Sequence, residues 1–327
     1  MNQNARPVHI LSGFLGTGKT TLLNQLLKRE DFANTLVIVN EFGEVPLDHH
    51  IIESSSETIV ELSNGCLCCS IRGELVDTLI SVSDRTFDRI IVETTGIADP
   101  LPIYQALMLQ PVLAVGLRAG SILSVYDIVQ GKSLIDQHEE AEKQIALADF
   151  IYISMRDKAD DLAGGLKFAE KLNPNAIIFE ASDDITAHTL DTSQHSPRKI
   201  PHSHHSGDYV SVVLETDQAQ PYSAIIGFLH HLANTCGQSL LRAKGFAKVT
   251  ELGNAPLLVQ MSGHIVHDPV QLKSWPDGPQ QTHIVVIAKD LDANIIRSVF
   301  NSFFDIVDID TADRKALTDN PLAIPGM

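Results

Sequence analysis

VHILSGFLGTGKTTLLNQLL, residues 8–27, is the most informative stretch of this chain. It begins with an apolar, β-prone run and continues, after a glycine-rich loop, into a segment with leucines on one helical face. The loop matches the pattern GxxxxGK[ST] in the strand-loop-helix context that the pattern requires. Glycines allow a tight bend in which successive backbone N–H groups and the positive end of the helix surround a diphosphate. The stretch therefore predicts a phosphate-binding loop.

Two side chains of this loop have predicted catalytic roles. Lys19 is expected to reach the β- and γ-phosphates, and the hydroxyl of Thr20 to bind the Mg²⁺ ion that bridges them. A glycine-rich turn without a ligand is the alternative, and the intact motif disfavours it. The predicted nucleotide-binding residues of the loop are Gly13, Gly16, Thr17, Gly18, Lys19, Thr20 and Thr21.

A second apolar run, DRIIVETTGIADP at residues 88–100, ends in an acidic residue followed by a turn. A carboxylate at the tip of a buried parallel strand beside a phosphate loop is suited to the Mg²⁺ side of a nucleotide-hydrolysing site. We therefore predict a catalytic role for Glu93, and we expect Gly96 to offer its N–H to the γ-phosphate. Many α/β strands end in a carboxylate without such a role, so this prediction depends on the loop upstream.

Apolar β-prone runs alternate with helical stretches through the first part of the chain. The runs lie at 8–11, 35–40, 58–62, 88–93, 121–126, 149–154 and 176–180. The helical stretches lie near 19–29, 71–82, 100–109, 132–147 and 160–172. This alternation predicts an α/β fold with a doubly wound, mainly parallel sheet that helices cover on both faces.

The chain divides into two predicted domains. Residues 1–181 form the nucleotide-binding domain, and residues 182–208 are polar, rich in Ser, His and Pro, and predicted to be a linker. Residues 209–327 are predicted to form a smaller α+β domain. The linker carries His195, His202, His204 and His205, which either hold a metal loosely or are ordinary solvated side chains.

Three of the four cysteines lie within NGCLCCS, residues 64–70. Thiolates at Cys66, Cys68 and Cys69 suit a transition metal, and Glu44 is a candidate fourth ligand for a tetrahedral site. A redox pair and simple burial are the competing interpretations, although adjacent cysteines form only strained disulfides. Cys236 stands alone in a helical segment and is predicted to be a core residue.

The composition limits the possible partners and compartment. With 41 acidic and 24 basic residues the formal net charge is −17, which opposes binding to nucleic acid and to anionic membrane surfaces. The first residues lack the features of a signal peptide, and no stretch is apolar enough to span a bilayer. We therefore expect a cytoplasmic protein, and in that reducing compartment clustered cysteines favour metal binding over structural disulfides.

Several motifs in this order resemble the CobW-type metallochaperone GTPases. They are GFLGTGKTTLLN, NEFGEV, NGCLCC followed by RGEL, ETTGIADP, LLRAKGF at residues 240–246 and HIVVIAKDLD at residues 283–292. The resemblance implies a GTPase that uses GTP/GDP with Mg²⁺, binds Zn²⁺ or Co²⁺ at its C-x-C-C motif, and delivers the metal to a client apo-metalloprotein. We expect the client to dock on the small domain. The oligomeric state stays open.

The base-reading motif departs from the usual [NST]KxD of such GTPases. Here the strand DFIYIS is followed by Met155, Arg156 and Asp157, so that Ser154-Met155-Arg156-Asp157 occupies the motif. Asp157 can accept hydrogen bonds from the guanine N1–H and amine. Met155 replaces the apolar stem of the missing lysine, which predicts weaker binding with guanine preference kept. Relaxed base specificity or lower turnover is the alternative.

Two other functions are compatible with parts of the sequence. A small-molecule kinase has the same phosphate loop but offers no reason for three clustered thiols. A nucleotide-binding metal sensor or storage protein without significant turnover explains the thiols but leaves Lys19, Thr20 and Glu93 without a task.

Overall fold

The structure is a computed structural model that describes residues 5–39, 59–61, 70–109, 116–192, 203–206, 209–275 and 279–304. Its first part is a seven-stranded sheet in which every neighbouring pair is parallel, in the order β3-β2-β4-β1-β5-β6-β7. The strands are β1 (Arg6–Ser12), β2 (Thr35–Val39), β3 (Ile59–Glu61), β4 (Arg89–Glu93), β5 (Leu117–Asp127), β6 (Phe150–Ser154) and β7 (Ile177–Phe179). All seven predicted strands are present.

Helices cover both faces of this sheet. They are α1 (Lys19–Leu27), α2 (Ser70–Val82), α3 (Pro100–Leu109), α4 (Gly131–Gln137), α5 (Glu139–Ala146), α6 (Leu162–Leu172) and α7 (Ala187–Thr192). Leucines of α2 pack on one face, beside alternate residues of β1, whereas leucines of α1 pack on the other. The strands are apolar along their length because both of their faces are buried, as in β2, where all five residues are buried. The predicted doubly wound α/β fold is confirmed.

The predicted helix at 132–147 is instead two helices, α4 and α5, separated at His138. His138 has an extended backbone, with φ −136° and ψ 112°, so the helical hydrogen-bond pattern cannot run through it. Neither proline nor glycine marks this break in the sequence, which is why a helical pattern alone does not reveal it.

The second part is an antiparallel sheet with helices on one face. Its strands are β8 (Ser203–Ser206), β9 (Tyr209–Thr216), β10 (Leu240–Lys248), β11 (Pro256–Ser262), β12 (Ile265–Val266), β13 (Val270–Gln271) and β14 (Thr282–Lys289), and its helices are α8 (Tyr222–Cys236) and α9 (Ala293–Phe303). The central order is β11-β10-β14-β9, and Phe228 of α8 meets Phe300 of α9 edge to face in the core. Cys236 is buried there, as predicted. The α+β character of this part is confirmed.

Within the ranges that the structure describes, no helix has the length and apolar content needed to cross a membrane.

The two parts share one hydrophobic cluster and a buried ion pair. Leu241 and Ile287 of the second sheet pack in the same cluster as Ile103 of α3. Beside them, Arg242 Nη2 lies 2.9 Å from both carboxylate oxygens of Asp149, which precedes β6, and each side chain is only 5% exposed. Apolar packing and a bidentate ion pair therefore hold the two parts together.

Residues 182–192, which lie in the stretch predicted to be a linker, pack onto the first sheet. Ile185, Ala187 and Leu190 are buried in the same cluster as α1. From α7, Asp191 Oδ1 lies 3.1 Å from Nε2 of the buried His9 on β1, and Asp191 Oδ2 lies 2.9 Å from Nη2 of Arg89 on β4. This stretch is too short and too polar to show helical periodicity in the sequence, yet it supplies the counter-charge to two buried side chains.

The Asp191 contact also determines how His9 is protonated. His9 Nδ1 accepts a hydrogen bond from the backbone N–H of Ser121 at 3.0 Å, so the ring proton belongs on Nε2, from which it is donated to Asp191. Burial is the main cause that lowers the pKa of His9. For Asp191 burial acts to raise the pKa, but the hydrogen bonds from His9 and Arg89 outweigh it and lower the pKa to about 2. A neutral histidine thus faces an ionised carboxylate.

His267, after β12, makes a pH-dependent contribution to stability that can be measured. Burial lowers its pKa from 6.5 to about 4, against a smaller opposing effect of Asp268. The unfolded chain therefore takes up a proton at a pH where folded His267 does not, and stability falls as the pH falls below 6.5. Between pH 7 and pH 5 this group should remove about 2 kcal/mol from the free energy of unfolding.

We expect His267→Gln to reduce that loss by about 2 kcal/mol, because Gln does not titrate. Urea unfolding at several pH values measures it. His264→Gln, at an exposed position three residues away, is the matched control. Its free energy of unfolding should change with pH as that of the wild type does. Parallel pH curves for wild type and His267→Gln would contradict the prediction.

Candidate nucleotide-binding site

The loop between β1 and α1 has a backbone that only glycine adopts easily. Gly13, Gly16 and Gly18 all have positive φ, at 138°, 75° and 94°. A Cβ on Gly13 would lie 2.6 Å from the carbonyl oxygen of Val125 on β5, which no side chain can occupy. Gly18 is the residue before α1, so its left-handed conformation directs the loop into the helix. The loop therefore has the geometry predicted for phosphate binding.

Lys19 lies across this loop. Its Nζ donates to the carbonyl oxygens of Gly13 at 2.9 Å and Phe14 at 3.1 Å. The hydroxyl of Thr17 also donates to the Phe14 carbonyl, at 2.9 Å. Lys19 is buried, so its ammonium group is held against the loop. Lys19 is also the first residue of α1, where the backbone N–H groups have no partner within the helix. Thr21, one residue beyond the motif, is exposed.

Thr20 and Glu93 meet at the end of the neighbouring strand. Thr20 Oγ1 donates to Glu93 Oε1 at 2.7 Å, although 73 residues separate them in the sequence. Glu93 is the last residue of β4 and pairs in register with Leu11 of β1, which places it next to the start of the loop. A hydroxyl and a carboxylate oxygen are the hard ligands that Mg²⁺ prefers, so the pair fits the predicted Mg²⁺ site.

The turn after Glu93 contacts the loop directly. A Cβ on Gly96 would lie 2.5 Å from the backbone nitrogen of Leu15, so the turn approaches this closely only because residue 96 is glycine. The backbone N–H of Thr94 donates to the Leu11 carbonyl at 3.0 Å and continues the pairing with β1. Gly96 therefore lies against the loop between β1 and α1, and a contact of its N–H with a γ-phosphate stays a prediction.

Two residues that the sequence did not single out also touch this site. The ring of His138 stacks on Phe14 of the loop, with centroids 4.7 Å apart and planes inclined by 24°. Gln144 on α5 donates hydrogen bonds to the turn after Gly96. Neither residue belongs to a motif with fixed spacing, and only the break at His138 brings both toward the loop.

Asp157 follows β6 at the same edge of the sheet. It is exposed and lies in a single 3₁₀ turn after Met155, which has a left-handed backbone with φ 56°. Lys158 Nζ lies 3.7 Å from the sulfur of Met155. Arg156 points away from Asp157 and pairs with Glu180 Oε2 at 2.5 Å. Met155 and Asp157 are thus available for base recognition, and the ammonium group of Lys158 lies beside the Met155 sulfur.

The predicted transition-metal ligands Glu44, Cys66, Cys68 and Cys69 lie outside the described residues. The strands that lead to them are described: Val39 ends β2 and pairs with both Glu61 of β3 and Glu93 of β4. β2 and β3, the strands that precede these ligands in the sequence, therefore both end at the edge of the sheet that carries Glu93. The structure holds no group of three or more His, Cys, Asp or Glu side chains placed for a metal, as far as its described ranges extend.

The parallel sheet, the glycine loop after β1 and the carboxylate of Glu93 at the adjacent strand end define the chain as a P-loop nucleotide-binding protein. Comparison with family models narrows the class: residues 7–180 match the CobW/HypB/UreG nucleotide-binding domain, and residues 209–304 match the cobalamin synthesis protein cobW C-terminal domain. The first match alone spans more than half of the chain. The chain belongs to the CobW/HypB/UreG family, and the predicted family is confirmed.

Individual relatives align over nearly the whole length. The chain is 29% identical to the zinc chaperone YjiA of Escherichia coli (strain K12), over 91% of this chain and 98% of the relative. It is 27% identical to the zinc chaperone CobW of Sinorhizobium sp, over 92% and 98%. Among solved structures, a Zn(II)-bound triple mutant of YjiA GTPase matches with a TM-score of 0.66 and 25% identity, over 92% of this chain and 99% of that chain.

Proposed function

We propose that the protein is a Mg²⁺-dependent GTPase that acts as a metallochaperone. The observation that carries this proposal is the contact of Thr20 with Glu93 directly beside Lys19. A hydroxyl, a carboxylate and an ammonium at one loop are the groups that a triphosphate-hydrolysing site needs. A protein that only binds metal needs none of them.

The loop residues divide the work of binding the nucleotide. The glycines at 13, 16 and 18 shape the backbone so that its N–H groups face the phosphates, and Thr17 of the loop and Thr21 of α1 are the other proposed contacts. Lys19 leaves the two loop carbonyls and places its charge on the β- and γ-phosphates. Thr20 and Glu93 would hold Mg²⁺, which neutralises the charge that develops on the phosphates during transfer.

Asp157 is the proposed reader of guanine. Its exposed carboxylate accepts hydrogen bonds from the N1–H and exocyclic amine of the base, which adenine does not offer in that pattern. The flexible thioether of Met155 packs on the face of the base in place of a lysine stem. Calorimetry with GTP and ATP analogues measures the preference, and equal or tighter ATP binding would contradict it.

The proposed cargo is a transition metal held by Cys66, Cys68 and Cys69, with Glu44 as the fourth ligand. The names of two relatives, both zinc chaperones, support Zn²⁺ as the metal, and Co²⁺ is the alternative. Thiolates bind both ions. The metal is then passed to a client apo-metalloprotein that docks on the small domain.

Nucleotide state and metal affinity are coupled in this proposal. Val39 and Glu61, the described residues before segments 40–58 and 62–69, lie in register with Glu93, so contacts to the γ-phosphate at this edge can bias the thiol geometry. When the γ-phosphate leaves, those contacts are lost and metal affinity falls. The coupling must be reciprocal: if GTP tightens metal binding, the metal tightens GTP binding by the same factor.

The test is a series of Zn²⁺ dissociation constants with a non-hydrolysable GTP analogue, with GDP and without nucleotide. We expect the tightest binding with the GTP analogue. Replacing Cys66, Cys68 and Cys69 together by Ser should remove that binding, whereas Cys236→Ala, at the buried cysteine of α8, should leave it unchanged. Three equal constants would contradict a nucleotide switch, and absent GTP turnover would favour a metal sensor or store.

A further inference from the structure

Gln144 on α5 directs the amide nitrogen of its side chain at the turn after Glu93. Its Nε2 donates to the carbonyl oxygen of Gly96 at 3.0 Å and to that of Ala98 at 2.9 Å. A primary amide has two N–H donors, so both are used on one turn. Gln144 is fully buried, and its own backbone carbonyl accepts from Ser124 Oγ of β5 at 2.8 Å. The glutamine is therefore anchored to the sheet and directed at the turn.

The preceding residue of α5 holds the far end of the same turn. Lys143 Nζ lies 2.6 Å from Asp99 Oδ2, and Asp99 Oδ1 accepts from the backbone N–H of Leu101 in the first turn of α3. Lys143 and Asp99 are 23% and 32% exposed, so this ion pair is partly screened by solvent. Adjacent residues of one short helix thus hold both ends of residues 96–99.

These contacts determine the direction of the peptide groups at the start of the turn. The carbonyl of Thr95 accepts from the N–H of Ala98 at 3.1 Å, and the carbonyl of Gly96 accepts from Gln144. Because each peptide unit is planar, fixing those two carbonyls also fixes the N–H groups of Gly96 and Ile97. Gly96 itself has no room to shift toward the loop, because its α-carbon already lies against Leu15.

We propose that Gln144 is a positioning residue for the γ-phosphate: it holds the turn so that backbone N–H groups at Gly96 and Ile97 point toward the phosphate loop. Lys143 assists through Asp99. The inference rests on the proposed GTPase function, which makes this turn the one that meets the γ-phosphate. We call the contacts of Gln144 and Lys143 with residues 96–99 the clamp. A nucleoside diphosphate has no γ-phosphate, so its binding does not depend on the clamp.

Gln144→Met tests the clamp because Met has nearly the same volume and shape but donates no hydrogen bonds. We expect the affinity for a non-hydrolysable GTP analogue to fall on the order of tenfold, from the loss of two hydrogen bonds. The affinity for GDP should stay within about twofold. The kcat/KM for GTP should fall by a similar factor to the analogue affinity, since the same contacts act in the bound ground state and in the transition state.

Gln137→Met is the matched control. Gln137 ends α4, seven residues away, and its exposed side chain donates to Ser133 within its own helix. Both nucleotide affinities should match wild type in this variant. Thermal melting of all variants separates the two roles, because a merely structural glutamine would lower the melting temperature and leave the ratio of analogue to GDP affinity unchanged.

An unchanged ratio in folded Gln144→Met would overturn the proposal. If that variant does not fold, Lys143→Met takes its place, since that side chain is partly exposed, and its ratio should fall about threefold; an unchanged ratio there would also overturn the clamp. The behaviour of the wild-type protein distinguishes a failure of this inference from a failure of the proposed GTPase function. If the wild-type protein hydrolyses GTP and the ratio of analogue to GDP affinity is unchanged in the variant, the role of the clamp is refuted and the GTPase proposal stands. If the wild-type protein binds neither nucleotide, the GTPase proposal is refuted as well.

Discussion

Lys19→Ala is expected to lower GTP turnover by about 10²–10³-fold, because it removes a charge that acts on the phosphates where negative charge develops. In the structure, Lys19 Nζ donates to two carbonyl oxygens of its own loop, at Gly13 and Phe14. Those neutral acceptors are readily exchanged for phosphate oxygens, which bind a cation more strongly. The fold should survive, since such bonds are worth about 1 kcal/mol each.

Steady-state hydrolysis and binding of a fluorescent GTP analogue measure the effect. Lys167→Ala removes the same charge from an exposed position on α6, and it should leave both quantities unchanged. Lys19→Arg should recover little activity, because a planar guanidinium does not fit where the loop surrounds a compact ammonium. Turnover within threefold of wild type in folded Lys19→Ala would contradict the assignment of this loop as the site of hydrolysis.

Arg242→Ala is expected to lower the free energy of unfolding by about 3–5 kcal/mol, because it leaves a buried carboxylate without its bidentate partner. Asp149 would retain Lys244 Nζ at 3.4 Å and the N–H of Ile122 at 2.9 Å, which do not replace two bonds of 2.9 Å. The carbonyl of Leu147 would also lose its donor, now 2.7 Å from Arg242 Nη1. Removal of one partner costs far more than removal of both.

Urea unfolding followed by circular dichroism and by fluorescence of the single tryptophan, Trp275, measures this loss. Lys248→Ala, a charge removal farther along β10, is the control and should cost less than about 1 kcal/mol. A loss below 1 kcal/mol in Arg242→Ala would show that the ion pair does not hold the two parts together.

The sheet and the phosphate loop are predictable because their signals are local. Strands such as β2 and β4 are buried on both faces and are therefore apolar throughout, which gives short runs that are easy to recognise. The loop needs glycine where φ is positive and where the chain approaches Val125, so its spacing is fixed by geometry. Parallel order then brings Glu93 to Thr20 without any further information.

The contacts around that site are not predictable in the same way. Gln144 bonds to a turn 46 and 48 residues away, and nothing in KQIALAD distinguishes it from a surface glutamine. Asp191 lies among Ser, Thr and His residues that have the composition of a linker. Such polar pairings depend on where distant elements come together, which a periodic pattern does not encode. The metal ligands Glu44, Cys66, Cys68 and Cys69 remain a prediction from the sequence.

The helix α7 has a consequence for any attempt to produce the nucleotide-binding half by itself. A fragment that stops at residue 181 contains every predicted phosphate and Mg²⁺ residue, but it lacks Asp191. His9 and Arg89, both on central strands, would then be buried without the carboxylate that they share. An autonomous folding unit must therefore extend at least to residue 192, and the catalytic motifs alone do not mark where it ends.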